Sequence, residues 1–476
     1  MKPSSIKGQR RPAPNPMSQS VRIIVSSDTR IEGHLPFDVW HPLKKRLTFT
    51  NPAWIENEKY GYWQGNTPKT LSYISRADNG ASTIIPRGFT GQLMGYLSDH
   101  RMPYTLEDQT RRLNEVSFGF NGNLYPFQEE AVARMQQKRF GVLDSPTGSG
   151  KTVMALYLIA RRRQPALVIC HTKELLYQWR DRAAEFLDLT PDEIGLIGDG
   201  KVSMGEHLTV GIINSVYKRA KALRERVGHL IVDECHRTPS RTFTEAVSTF
   251  DSRFMLGLSA TPYRRDGLSR LIYFFIGDPV HHITPKTLQT LKRIMKPRLI
   301  VRETAFDYAY EDDYQEMVKH LTADPRRNRL IVTDVLKATE GPGISLVISD
   351  RKEHSAVLYY LLREKRRIRL LTGDIPGGER SGIIEALQKG EVQILVATAQ
   401  LIGEGFDFKG LSNIFLTTPV SFTGRVKQYV GRILRTAEGK QEAVIYDYLD
   451  KPGVLQASFK SRCAAYWELG IECAEH

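Results

Sequence analysis

The stretch "SPTGSGKT", Ser145 to Thr152, lies between the apolar run "GVLD" and the helical pattern "VMALYLIARRR". A buried strand, a turn of small residues and a helix, in that order, make a phosphate-binding loop. Gly148 and Gly150 let backbone N–H groups close around a β-phosphate, and the helix N-terminus adds its positive dipole end. Lys151 is placed to reach the β- and γ-phosphates, and the Thr152 hydroxyl to ligate Mg²⁺. Ser145, Pro146, Thr147 and Ser149 complete the loop. The strict pattern begins with Gly, and Ser145 departs from it.

Around this loop the chain alternates buried strand, turn and helix. "GVLDS", "ALVIC", "LTVGIIN", "HLIVDE" and "FMLGLSA" are continuous apolar runs, as expected of parallel strands covered on both faces. In the intervening "KELLYQWRDRAAEFL", Leu175, Leu176, Trp179, Ala183 and Phe186 share one helical face. The rhythm restarts after a linker with "ISLVISD", "IRLLTGD", "VQILVAT", "NIFLTTP" and "AVIYDYL". Two tandem α/β domains with parallel sheets follow, predicted over residues 116–285 and 286–476, the second including a linker at 286–328. Residues 21–115 are punctuated by turns and alternate apolar with polar residues, which predicts a small mixed α+β domain. Residues 1–20, rich in Pro, Ser, Lys and Arg, read as a disordered basic tail. The acidic "YEDDYQEM" reads as a mobile arm or a solvated helix start.

Composition bounds the function classes. The chain has 476 residues, 41% of them hydrophobic, enough for two or three cores. Its formal net charge of +14 favours polyanionic partners through counterion release. No apolar run approaches the roughly 18 residues that span a bilayer, and the opening "MKPSSIKGQRRPAPNPMSQS" has no secretory apolar core. A soluble cytoplasmic protein without a membrane partner is expected, nucleoid-associated in a prokaryotic or viral setting. Cys170, Cys235, Cys463 and Cys473 match no zinc or disulfide framework, so reduced thiols are expected.

"HLIVDECH" places Asp233 and Glu234 at the end of another buried strand, where a parallel sheet presents catalytic groups. Asp233 is suited to hold Mg²⁺, and Glu234 to polarise an attacking water. An acidic pair downstream of a phosphate loop is the order an ATPase needs.

"SPTGSGKT", "DECH", "LSATP" and "QYVGRILR", in this order over two α/β domains, resemble the motifs of superfamily 2 helicases between about Leu124 and Tyr448. "LYPFQEEAV", "CHTKELLYQW", "LSATPYRRDG", "GEGFD" and "RILR" are similar to those of the XPB and UvsW group. The resemblance implies RecA-like domains and ATP hydrolysis with Mg²⁺. It also implies that Gln128 reads the adenine edge with Phe127 or Tyr125 stacking nearby. By the same resemblance His236, Ser259 and Thr261 couple the nucleotide site to domain closure, and Gly405 and Asp407 lie on the ribose side. Gln428, Arg432 and Arg435 are implied to reach across the cleft to the γ-phosphate. Tyr429 and His171 depart from many relatives, which carry arginine and proline there.

Two such domains, closing and opening on ATP, can walk a strand gripped by its phosphates. The resemblance points to Thr172, Lys173, Ser349, Thr372 and Thr398 for that grip, and a sugar-phosphate grip carries little sequence specificity. Each also reads as a local cap. The Arg-rich "IARRRQ", "YKRAKALRER" and "LREKRRIR" read as outer contacts or as solvated helix faces. The segment before the motor loosely resembles the small domain preceding the core in XPB-like proteins, associated there with distorted or branched DNA. Its Trp54, Tyr60, Tyr62 and Trp63 read as base-stacking groups or as core. The reading is an ATP-dependent DNA helicase or translocase acting on duplex, forked or single-stranded DNA. An RNA helicase or an ATP-dependent clamp without strand separation remains the alternative; "HTKEL", "GEGFD" and "GRILR" differ from the usual "PTREL", "ARGxD" and "GRxGR" of DEAD-box RNA helicases.

Overall fold

A computed structural model describes residues 20–237, 241–260, 268–403, 408, 410–420, 423–436, 440 and 442–473. Thr261, Gly405, Asp407 and nearly all of the basic tail lie outside these residues. Among those described, no helix is long and apolar enough to cross a membrane.

The first large sheet has eight strands. Its order is Lys201–Val202, Gly195–Gly198, Leu208–Ile212, Ala166–Cys170, His229–Val232, Phe254–Ser259, Phe140–Asp144 and Pro279–His282. All neighbours pair in parallel except the first two. Because the central strands are covered on both faces, their apolar runs are continuous, Ala166–Cys170 being buried at all five positions. The strands Phe140–Asp144 and His229–Val232 end on the same side of the sheet, which brings the phosphate loop and the acidic pair to one edge.

The second sheet is wholly parallel. Its order is Pro297–Glu303, Ala443–Leu449, Leu411–Leu416, Ile344–Ser349, Ile394–Thr398 and Ile368–Leu371. Much of the segment expected as linker is therefore ordered structure. Pro297–Glu303 is an edge strand whose charged Arg298, Arg302 and Glu303 dilute its apolar pattern, and it is held by seven paired positions against Ala443–Leu449. The acidic stretch is a helix start. Asp313 caps Tyr314–Ala323, its carboxylate accepting from the Gln315 and Glu316 N–H groups at 2.9 and 3.0 Å.

The N-terminal five-stranded sheet runs Ser75–Ala77, Ser82–Pro86, Asp28–Glu32, Val21–Val25, Tyr104–Asp108. Its core is continuous with the first large unit, since Leu271 and Phe274 pack among Ile23, Leu43, Phe89 and Leu93. Buried Arg87 donates to the Ser26 and Ser252 carbonyls at 3.1 and 3.0 Å. Gly88 lies so close to Tyr273, Phe274 and Gly277 that an added Cβ would meet their backbone at 2.5–2.7 Å. Projecting from this unit is a two-stranded stem, Thr48–Thr50 against Thr70–Ser72, that carries the helix Pro52–Tyr60, none of whose residues is buried.

The cysteines divide, correcting the expectation of four thiols. Cys170 and Cys235 are free and buried, whereas Cys463 and Cys473 form a disulfide. The helix Gly453–Glu468 ends and the chain reverses at Gly470, φ +73°, which returns Cys473 to Cys463; a ten-residue spacing carries no such signal.

In the second sheet unit, a buried polar chain ties helix Pro325–Ala338 to strand Ile344–Ser349. His354 Nε2 donates to Asn328 Oδ1 at 2.9 Å, so Nδ1 accepts from the Ser349 hydroxyl at 3.0 Å. Burial, with Arg327 nearby, pulls His354 down to about 3. The unfolded chain thus takes up a proton near the ordinary value of about 6.5 that the folded chain refuses until about 3. Protons bound are greater in the unfolded state across this window, so stability falls as pH falls through it, by up to about 1.4 kcal/mol per pH unit. Urea midpoints at pH 7, 5.5 and 4.5 should drop in the native chain and drop less steeply in His354→Gln. Equal slopes would remove His354 as the cause.

Candidate functional site

The phosphate loop has the backbone its composition predicts. Gly148 and Gly150 adopt φ +89° and +82°, left-handed values that burden any side chain, and the helix Lys151–Arg162 starts directly after them. Ser145 is fully buried, with its hydroxyl bonded to that of Ser149 and its N–H to the Ser259 carbonyl at 2.8 Å, which accounts for a serine in place of the usual glycine. Lys151 Nζ donates to the Ser145 carbonyl at 2.9 Å. Gln128 locks the loop from outside, its Nε2 donating to the Ser149 carbonyl at 2.8 Å and its Oε1 accepting from the Tyr125 N–H at 3.0 Å. Phe127 lies parallel to Tyr125, ring centroids 6.1 Å apart, and packs against the core, leaving Tyr125 as the exposed ring.

Asp233 is buried at its strand end. Its Oδ2 accepts from the Trp179 indole N–H at 2.8 Å and its Oδ1 from the Glu234 N–H at 2.9 Å. Burial, then the like charge of Glu234, pushes Asp233 up to about 6. Two carboxylates so placed, facing Thr152 across one cavity, suit a divalent cation, which would relieve both effects. Glu234 has φ +48°, an uncommon conformation for a residue with a Cβ and one that clusters where function over-determines geometry. Trp179 was legible only as one apolar position on a helix face; its second task, aiming Asp233, depends on the neighbouring strand.

The second sheet unit completes the cavity. On the helix Thr423–Ile433, Gln428, Gly431 and Arg432 share a face at positions i, i+3 and i+4. Gly431 faces Thr147 so closely that an added Cβ would lie 3.1 Å from that side chain. Gln428 Nε2 donates to His236 Nε2 at 3.3 Å, so His236 carries its proton on Nδ1, 3.0 Å from the Ser259 hydroxyl and 3.3 Å from Glu234. Arg432 and Arg435 line the same cavity of about 460 Å³ as Tyr125, Pro146, Thr147, Gly148, Ser149, Gly150, Lys151, Thr152, Asp233 and Glu234.

The five residues proposed to grip nucleic acid have mixed placements. Thr172 caps the helix Lys173–Leu187 through the Leu175 N–H at 3.3 Å, and Lys173 pairs with Asp199 at 2.8 Å. Ser349 is fully buried on His354, and Thr372 is nearly so. Thr398, opposite Ser349 in the sheet, borders a basic groove of about 690 Å³ with Arg351, Lys352, Arg380 and Arg425.

An acid pair, a glycine loop after a buried strand and two arginines line one cavity, which lies between two parallel sheets, the arrangement of a two-lobed ATP-driven motor. Sequence comparison agrees. Residues 121–264 match the family described as type III restriction enzyme, res subunit, and residues 327–437 match the helicase conserved C-terminal domain. The DNA 3'-5' translocase XPB2 of Sulfurisphaera tokodaii is 25% identical over 69% of this chain and 82% of its own length. The ATP-dependent DNA helicase uvsW of Enterobacteria phage T4 is 22% identical over 89% of each. The solved structure of S. cerevisiae Dbp5 bound to RNA and ADP BeF3 shares the fold, at 16% identity and a TM-score of 0.54 over 74% of this chain and 89% of that one. Proteins named DNA translocases and putative RNA helicases both occur among the matches. The two matched domains make the chain a superfamily 2 helicase, similar to the XPB and UvsW group, and an ATP-hydrolysing enzyme with two RecA-like lobes.

Proposed function

We propose that this enzyme is a DNA helicase or translocase that spends ATP on separating or remodelling duplex or branched DNA. The observation that carries the reading is the bridge from Ser259 through His236 to Gln428, which joins the first lobe to the helix bearing Arg432. A site assembled from both lobes ties each hydrolysis to closure of the cleft.

In this reading Lys151 and the loop N–H groups bind the β- and γ-phosphates, and Glu234 takes the proton of the attacking water. Gln428, Arg432 and Arg435 reach toward the γ-phosphate, and the two arginines offset charge on the transferring group. Thr152 and Asp233 would hold Mg²⁺, which would supply charge neutralisation for the phosphates. Thr261, Gly405 and Asp407 keep their proposed coupling and ribose roles from the sequence.

For the track we propose the groove at Thr398, with Arg351, Arg380 and Arg425 toward phosphates. DNA is favoured over RNA by the similarity to the DNA translocase XPB2 and the DNA helicase uvsW and by the residues of the motifs. ATPase rates with duplex, forked and single-stranded DNA against matched RNA decide this, and stronger stimulation by RNA would overturn it.

We further propose residues 21–115 as the selector of DNA structure. The tip of the projecting stem exposes Trp63, Tyr62 and Tyr60 at 91%, 65% and 57%, whereas half-buried Trp54 serves the arm itself. Rings this exposed add nothing to a core and suit unpaired bases, each stack being worth about 1–3 kcal/mol. Deleting the whole segment would uncover Leu271 and Phe274, so point substitution is the cleaner test. Trp63→Ala with Tyr62→Ala should weaken forked DNA about tenfold or more relative to linear duplex in competition at one salt concentration. Undiminished fork preference would assign selection to the motor lobes.

A further inference from the structure

The geometry points to Arg293 as a base-recognition residue that, with Tyr125, forms a two-sided slot for the purine of the nucleotide. This rests on the nucleotide site proposed above and extends it to a residue that no motif marks. Arg293 lies in the segment joining the lobes, and its guanidinium carbon stands 3.5 Å from the centroid of the Tyr125 ring. That is van der Waals spacing, the separation at which a flat purine would stack on the same ring. Both side chains border the cavity of the phosphate loop, and Tyr125 is the N-cap of the helix whose Gln128 clasps Ser149. Both are exposed, so Arg293 can rotate away and close again over an inserted base.

The backbone of Arg293 is anchored, and its exposed side chain rests on the Tyr125 ring. Lys292 turns at φ +54°, and the Arg293 N–H donates to the Leu288 carbonyl at 2.8 Å. The next residue, Ile294, is buried 3.2 Å from where a Cβ on Gly148 would sit, and it pairs antiparallel with Arg435. Met295 N–H then donates to the Leu434 carbonyl at 2.7 Å. The base slot is thus one residue away from both the phosphate loop and the bridge to Arg435, just past the helix Thr423–Ile433. A base held by Arg293 steadies the same segment that sets Arg435, which gives a triphosphate bearing a purine an advantage over a bare one.

The test compares ATP with inorganic tripolyphosphate, each with Mg²⁺, in equilibrium binding to the full chain. Arg293→Ala should weaken ATP about tenfold and tripolyphosphate less than twofold, as a lost guanidinium stack predicts. Arg293→Lys, which keeps charge but not the plane, should fall between for ATP. If Arg293→Ala weakens both ligands in parallel, the residue acts through charge on the phosphates and the slot is wrong. If it weakens neither, Arg293 is outside the site. Lys151→Ala reports separately: it should weaken both ligands, and no loss of either would overturn the nucleotide site itself and the slot with it.

Discussion

Glu234→Gln is expected to bind ATP about as well as the native enzyme while losing 10²–10⁴-fold in turnover, the range for removal of a positioned general base. The carboxamide keeps the size of the side chain and the left-handed backbone at this position, φ +48°, and it leaves Asp233 to its two hydrogen bonds from Trp179 and the Glu234 N–H. It also removes the like charge that helps to raise Asp233. Divalent cation should therefore bind with an affinity that is changed far less than the rate. Fluorescent-nucleotide binding and steady-state phosphate release, measured on the same preparation, separate the two. Near-native turnover would strike Glu234 from the chemistry.

The second large effect is expected at Arg432. An arginine that meets the transferring phosphoryl group is worth about 10³–10⁵ in rate, whereas its share of ground-state affinity is small because the phosphate loop supplies most of that. Arg432→Ala should accordingly lower kcat by orders of magnitude with KM within a few-fold. The substitution leaves the helix Thr423–Ile433 its Gln428 bond to His236 and the close approach of Gly431 to Thr147. Loss of turnover is then attributable to charge and not to lobe docking. Arg432→Lys should recover only part of the rate, since a point charge replaces a planar fork. Unchanged kcat in the alanine variant would place the trans-acting charge elsewhere, with Arg435 the next to substitute.

The two exposed regions outside the nucleotide cavity carry different physics. The tip of the arm offers aromatic faces and suits stacking, while the groove beside Thr398 offers arginines and suits phosphates. Nucleic-acid binding at the groove is expected to weaken steeply with salt, and a fork preference carried by Trp63, as proposed, is expected to depend on salt much less.

The sequence by itself determined the strand-loop-helix at Ser145 to Thr152, the acidic pair at a strand end and the doubled α/β rhythm. These depend on the apolar periodicity and glycine conformations of contiguous residues, which a linear pattern records directly. Tertiary structure alone decided that Trp179 aims Asp233, that His236 joins Ser259 to Gln428, that Arg293 lies on Tyr125 and that Cys473 returns to Cys463. It also turned the expected linker into an edge strand and buried Ser349 on His354. Most of these link positions ten to nearly two hundred residues apart whose individual types are ordinary. Their partners are chosen by which strand lies beside which and by how the lobes meet, and that choice is made by packing of whole elements, which no local pattern contains.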